Sequence, residues 1–383
     1  MNLTIKKVKQ GAERYVNGKV TQFDQKNEGF KRPFWDPSLD YIREKFYETE
    51  VPPKDKPGYT FADQCAVNAS WYLDSMSQGK KAMYAPNWDG NFYFPRVPKG
   101  YQTKENDPST LTLQVKKVAS FFGASLVGIC KVDQRWLYSS AYVFDGDKGK
   151  PEPVYYPETC KFAVVMAFEM DYEAISYSPD CPSSAAVGLG YSQMAFTSGS
   201  LAHYIRNLGF QAIPSGNDTA CSIPLAIDAG LGELARNGLL ITPHFGPRVR
   251  LAKVFTDIPL ETDQPIEFGV WNFCKICEKC ADECPSKSIP SGDPTGVPHN
   301  ISNRTGTSKW NVNAESCLKW WATNGTDCSN CIRVCPFNKS KGVLHDLVRF
   351  GISNLPSLNK FYFWGDEIMG YGKKQPPAQF WRK

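Results

Sequence analysis

Eight of the thirteen cysteines lie between residues 274 and 335, and their spacing constrains this chain more than any other feature. The first run is Cys274, Cys277, Cys280 and Cys284-Pro285, which reads C-x2-C-x2-C-x3-C-P. The second is Cys328, Cys331 and Cys335-Pro336, with Cys317 ahead of it. Two-residue gaps let successive thiolates curl around one cubane, and soft sulfur ligands select iron–sulfur or zinc over hard cations. In this run the last cysteine before the proline serves the neighbouring cluster. The spacing therefore predicts one [4Fe–4S] cluster on Cys274, Cys277, Cys280 and Cys335, and a second on Cys317, Cys328, Cys331 and Cys284. Zinc uses two C-x2-C pairs with four ligands per site, which leaves the two C-Pro endings unexplained. A disulfide scaffold suits a short secreted chain rather than one of 383 residues.

The other five cysteines (65, 130, 160, 181 and 221) are irregularly spaced and read as reduced, mostly buried thiols, one of which could line a cofactor pocket. With 42% hydrophobic and 13% aromatic residues the chain can bury a sizeable core. A net charge of +5 is spread along the sequence without a block of like charges, so nothing calls for nucleic acid. No apolar run is long enough for a membrane span, and the first residues lack the apolar core of a signal peptide.

Four segments are expected. Residues 1–107 form an N-terminal arm and an aromatic capping region, with a helix near 37–48, helical spacing from 61 to 76, and an aromatic loop at 85–107 that could lid a pocket. Residues 108–260 form an α/β core with helices on both sheet faces. Here a helix at 108–122 ends at Gly123, strands follow at 124–132 and 161–168, a second helix–Gly–strand phrase runs from 200 to 213, and a short helix follows Pro224. Residues 261–345 carry the clusters, and 346–383 form an aromatic tail. Gly230, Gly232 and Ala235 spell a dinucleotide fingerprint, but the stretch before them looks helical where that motif needs a strand.

Clusters move single electrons, so the large domain ahead of them implies a site that uses electrons, usually through an organic or corrin cofactor. Residues 188–260 are dense in groups that could bind and protonate, including Tyr191, Asn217 and Arg250. A phenol is a proton donor, and a nearby Arg stabilises its phenolate. Spacing alone does not single these out.

The phrases YIRNLGFQAIPSGND (204–218) and AGLGELARNGLLITPHFGPRVRLAKVFTDIPL (229–260), together with the two cysteine runs, resemble the corrinoid reductive dehalogenases of organohalide-respiring bacteria. The likeness runs from about residue 188 to 338, with weaker echoes in the tail. It implies a nitroreductase-like α/β (α+β) core holding a base-off cobalamin, followed by a ferredoxin-like two-cluster domain. The family's catalytic Tyr falls on Tyr191, its Arg partner on Arg250, its pocket Asn on Asn217, and its pocket-lining aromatic on Trp321. The Asp-x-His-x-x-Gly loop that supplies a lower axial His in other cobalamin proteins does not occur here, in agreement with a base-off corrinoid.

The activity implied is replacement of a carbon-bound halogen of a small chlorinated alkane or alkene by hydrogen. Electrons pass through the clusters to cobalt, the proton comes from Tyr191, and Arg250 holds the phenolate and attracts the leaving anion. The polar, Gly/Pro-rich stretch from 291 to 310, with Gly292, Asp293, Thr295 and Gly296, is expected to hold the cobalamin tail, because such backbone approaches a large ligand closely. Family membership further implies a membrane anchor protein, an electron donor, a possible homodimer, and a peripheral place on the outer face of the cytoplasmic membrane. The twin-arginine leader of family precursors is not visible. The nearest rival is an epoxyqueuosine-reductase-like tRNA-modifying enzyme with the same cofactors, though an RNA substrate should demand a basic groove. A plain ferredoxin-type carrier would not require the upstream domain.

Overall fold

The computed structural model describes residues 5–49, 54, 56–77, 84, 102–145, 148–340, 342–376 and 380–381. Most of the aromatic loop expected at 85–107 lies outside the described residues. Of the expected helices and strands, the structure contains α1 (Phe61–Ser70), α2 (Tyr72–Ser77), α3 (Pro108–Phe121), β1 (Leu126–Lys131) and β2 (Phe162–Glu169). Asp107 starts α3 by accepting the Thr110 amide at 2.9 Å, with Pro108 at the first helical position. The chain continues through α4 (Cys181–Asn207), β3 (Ala212–Ser215), α5 (Ser222–Asp228) and β4 (Val249–Thr256).

The four strands make one sheet in the order β1-β2-β4-β3, and every neighbouring pair is antiparallel. Side chains alternate across a strand. Accordingly Val164, Met166 and Phe168 of β2 enter the core formed with α3 and α4, while Ala163, Val165 and Ala167 enter the opposite core with α5. Both faces of β2 are covered, which is why it reads as an unbroken apolar run. Such a run reports burial on two faces but not strand polarity.

One element departs from expectation. The helix expected to start near residue 200 is the last third of α4, which begins at Cys181. Its first half is rich in Gly, Ser and Ala, which weakens helical periodicity. The small residues serve close approach: a Cβ on Gly188 would fall 2.2 Å from Ser70 Oγ, and one on Gly190 would fall 2.9 Å from Arg250 Cγ. The glycines that obscure the helix in the sequence are the ones that let α1 and Arg250 lie against it. Gly230, in the left-handed conformation at φ +72°, follows α5, so the fingerprint-like letters sit after a helix rather than a strand.

The N-terminal arm touches both the core and the cysteine-rich part. Lys6–Lys7 pairs with Ile266–Glu267, Phe23 pairs with Tyr138, and Leu39 and Ile42 pack on Leu318. The cysteine region contains α6 (Val270–Ile276) and α7 (Ala314–Asn324). Two tail helices, α8 (Val343–Asn354) and α9 (Asn359–Ile368), pack Ile352, Tyr362 and Phe363 against Val270 and Phe273.

Candidate functional site

Three separate elements bring Tyr191, Asn217 and Arg250 together. Tyr191 lies on α4, half-buried, with its ring stacked on Trp71 at 4.8 Å and 23°. The Arg250 guanidinium, from β4, sits 5.1 Å from the centre of the same ring, in cation–π range. Asn217 Nδ2 donates to Tyr191 Oη at 2.9 Å. The phenol oxygen accepts in that bond, so its own O–H remains available to a substrate. Asn217 projects from a tight turn after β3. Gly216 N donates to Asp218 Oδ1 at 2.8 Å, Ser215 Oγ donates to the Asp218 carbonyl at 2.7 Å, and Thr219 adopts φ +65°.

Close to the Asn217 turn lies a second group of polar side chains, with Tyr138 Oη 3.4 Å from the Asn217 carbonyl. Glu28, Lys31, Cys221 and Lys309 are surrounded by protein on most sides yet retain accessible surface. Burial raises the Glu28 carboxyl and the Cys221 thiol, and lowers the Lys31 and Lys309 ammoniums, each toward its neutral form. Tyr138 donates to Glu28, and Arg304 Nη2 lies 3.3 Å from Cys221 Sγ. Asp74 is pushed up to about 6, first by burial and then by Asp218. Trp321, on α7, packs its ring 5.5 Å from Phe30 and 5.9 Å from Phe46, and its indole N–H is buried without a hydrogen-bond partner. Tyr47 stacks edge-on with Phe46, 5.1 Å between ring centres, and extends this aromatic group.

The eight cysteines of the two runs form two neighbouring groups. Cys274, Cys277, Cys280 and Cys335 line one cavity with Phe273 and Phe337. Cys284, Cys317 and Cys328 lie in electrostatic reach of one another and of Cys331. Cys331 in turn feels Cys335, so the groups adjoin. Backbone amides of Ser288 and Asn330 approach Cys284 Sγ and Cys328 Sγ, each at 3.4 Å. Arg236, fully buried, donates to the carbonyls of Cys274 at 2.8 Å, Cys277 at 3.1 Å and Pro290 at 2.8 Å, and lies 4.8 Å over Trp310. Lys279 and Lys339 converge on Asp366 of α9, at 2.7 and 2.5 Å. Among the described residues, no three His, Cys, Asp or Glu side chains are grouped to hold a single metal ion.

The loop with Gly292, Asp293, Thr295 and Gly296 is largely exposed. The Gly292 amide donates to Glu278 at 2.6 Å, and Thr295 pairs with Lys309.

Comparison with known proteins fits this geometry. Residues 273–338 match the family described as a 4Fe-4S double cluster binding domain. The chain is 39% identical over 329 residues to a tetrachloroethene reductive dehalogenase of Desulfitobacterium hafniense, covering 76% of this chain and 60% of that protein. It is 37% identical over 298 residues to the tetrachloroethene reductive dehalogenase of Sulfurospirillum multivorans, covering 72% and 60%. Over 72–76% of its length the chain is thus similar to reductive dehalogenases.

A solved reductive dehalogenase structure, described as bearing on B12-dependent dehalogenation, superposes with a TM-score of 0.73 at 25% identity, covering 99% of this chain and 50% of that one. The mixed α/β core followed by a two-cluster domain is thus the architecture of a reductive dehalogenase. The chain spans about 60% of the length of the curated dehalogenases it matches. An epoxyqueuosine reductase of Lactococcus garvieae matches only 32% of the chain, so that rival is a distant relative.

Several groups at the site escaped sequence reasoning. Trp71 had only its place in a helical repeat to mark it. Glu28 and Tyr138 are 110 residues apart and meet only in the fold. Lys253 and Arg236 were masked among dispersed charges, and a lone cation inside an apolar stretch is their one sequence signal.

Proposed function

We propose that this protein is a reductive dehalogenase, which removes a halogen from a small organohalide, a chlorinated alkane or alkene, and replaces it with hydrogen. The observation that carries the reading is the convergence of Asn217, Arg250 and Trp71 on Tyr191. Two electrons and one proton convert R–X to R–H and X⁻. Tyr191 supplies the proton, and Asn217 occupies an acceptor site of the phenol oxygen so that its O–H turns toward substrate. The Arg250 guanidinium steadies both the phenolate and the departing halide. Trp321, with Phe46 and Tyr47, gives an apolar aromatic wall suited to an uncharged substrate. The tetrachloroethene activity of the relatives supports a chlorinated ethene within that class.

The donor sets fit the cofactors. Eight soft thiol ligands in two adjoining groups suit two [4Fe–4S] clusters, with Cys335 crossing to Cys274, Cys277 and Cys280, and Cys284 crossing to Cys317, Cys328 and Cys331. The half-buried Lys31, Lys309, Arg304 and Glu28 offer polar partners for a large polar group such as a corrinoid bound base-off. When bound, a corrinoid supplies the low-potential metal centre that hands electrons to the carbon–halogen bond. In the 292–296 loop the Gly292 and Thr295 amides are engaged and Gly296 packs against Asn17, which leaves the exposed Asp293 as the loop's candidate for meeting the corrinoid tail.

A membrane anchor protein, an electron donor, homodimerisation and a peripheral position on the outer face of the cytoplasmic membrane follow from likeness to that family alone. Among the described residues no helix is long and apolar enough to cross a membrane. The test is reconstitution of the chain with iron, sulfide and a corrinoid, followed by halide release from chlorinated ethenes under a strong artificial reductant. Eight irons, one corrinoid and stoichiometric halide are expected. A fully loaded protein that releases no halide from any chlorinated alkane or alkene refutes the reading.

A further inference from the structure

The strand that carries Arg250 also carries a lysine with no role in the proposed reaction. Lys253 is three residues along β4, so it points to the opposite face of the sheet, among Val165, Ile213 and Phe255. It is 0% exposed. An ammonium in such a place is costly, and an aliphatic side chain would fill the position. What the ammonium has, and an aliphatic group lacks, is three donors radiating from one atom. All three are used. Nζ donates to the carbonyls of Gly216 and of Ala220, the latter at 3.0 Å, and to Ser222 Oγ at 3.0 Å.

Those acceptors are the two ends of the turn that presents Asn217. Residues 216 and 220 bracket Asn217, Asp218 and Thr219, and Ser222 begins the helix that follows. Within the bracket, Asp218 is already committed inward by its bonds to Gly216 and Ser215, and Thr219 sits in the left-handed region that β-branched residues avoid. From outside, Tyr138 N donates to the Thr219 carbonyl and Cys221 N to the Trp136 carbonyl, each at 2.9 Å, which holds the far side of the turn; Lys253 ties the Gly216 carbonyl to that side. Asn217 Nδ2 reaches Tyr191 Oη at 2.9 Å only in one orientation of the turn.

We propose that Lys253 is a positioning residue: by stapling both ends of the 216–220 turn it fixes the Asn217–Tyr191 hydrogen bond, and so the direction of the phenol O–H. β4 then serves the reaction from both faces, with Arg250 beside the phenol ring and Lys253 beneath the turn that orients its hydroxyl. The inference rests on the dehalogenase reading for its kinetic part, and on the fold alone for its structural part.

The experiment compares the loaded parent with Lys253→Met, Lys253→Gln, Asn217→Ala and the Lys253→Met/Asn217→Ala double variant. Halide release, iron and corrinoid content, and backbone hydrogen exchange are measured on each. Lys253→Met should lower kcat about 10- to 100-fold with KM little changed, the scale expected for a small misplacement of a reacting group. Lys253→Gln, which keeps donors, should recover part of the loss. Because Lys253 acts through Asn217, the double variant should be no slower than Asn217→Ala alone. Exchange should quicken in 216–222 while β2 and β4 stay protected. Effects that multiply in the double variant, or exchange in 216–222 equal to the parent's, overturn the proposal. General loss of protection across the sheet in both Lys253→Met and Lys253→Gln overturns it too, since that marks a plain stability role. A loaded parent that releases no halide refutes the dehalogenase reading instead, and the exchange arm still decides the staple.

Discussion

Replacing Tyr191 by Phe separates proton donation from everything else this side chain does. The ring remains, and with it the stack on Trp71 at 4.8 Å and the Arg250 guanidinium at 5.1 Å. What is lost is one hydroxyl and its 2.9 Å bond from Asn217. A neutral hydrogen bond contributes about 0.5–1.5 kcal/mol, and Asn217 is exposed, so its amide turns to water and the cost lies at the low end. Melting should fall by only about 2 °C. The rate is another matter. A positioned general acid contributes ~10²–10⁴, equivalent to roughly 3–5 kcal/mol of barrier. Chemistry should therefore suffer several times more than folding. Arg250→Lys, which keeps the charge but not the planar guanidinium over the ring, should do less damage than Arg250→Ala. The assay is halide release under a strong artificial reductant, which bypasses the physiological donor, with iron and corrinoid contents matched to the parent. A fully loaded Tyr191→Phe protein turning over at near the parent rate would show that another group supplies the proton.

Three further outcomes are expected. Cys284→Ser should alter the EPR signal of the Cys317–Cys328–Cys331 cluster and spare the other, because Cys284 lies with that group; loss confined to the Cys274–Cys280 cluster would sink the crossed ligation. Arg236→Met removes the donor that ties the Cys274, Cys277 and Pro290 carbonyls together and leaves them unsatisfied, at ~1–3 kcal/mol each, so the purified protein should lose about half its iron; full iron and an unchanged melting point would refute the structural role. Asp228 accepts the Ala12 amide at 2.7 Å, and burial pushes its carboxyl up to about 6. The folded state then binds the proton more tightly than the unfolded chain, so stability falls as pH rises from about 4 to 6, and the penalty is complete above that window. Asp228→Asn keeps an acceptor for Ala12 and removes the charge. It should stabilise by about 1–2 kcal/mol at pH 7, allowing for partial exposure, and by nothing below pH ~4; a gain that persists unchanged at pH 4 would contradict this origin.

The grouping of the eight cysteines is readable from the sequence because its geometry is local. Two-residue gaps place neighbouring thiols around one cubane whatever the rest of the fold does, and the proline ending assigns the crossing ligand. The sheet strands were readable for a similar reason: burial on both faces writes an unbroken apolar run at 162–169. The start of α4 was not, because Gly188 and Gly190 were selected by what must lie against them, Trp71 and Arg250, rather than by helix propensity. The Tyr191, Asn217 and Arg250 trio stands between these cases. Resemblance pointed to Tyr191, Asn217 and Arg250, but no local rule joins residues 26 and 59 positions apart. Only the packed sheet and α4 bring them to one ring. Trp71, Lys253 and Glu28 go further. A stacked indole, a buried ammonium and a half-buried carboxylate carry no spacing signature, since each acts on a partner more than 30 residues away. Short-range chemistry leaves its period in the chain, whereas side chains that meet across the core are related only through the backbone that folds between them.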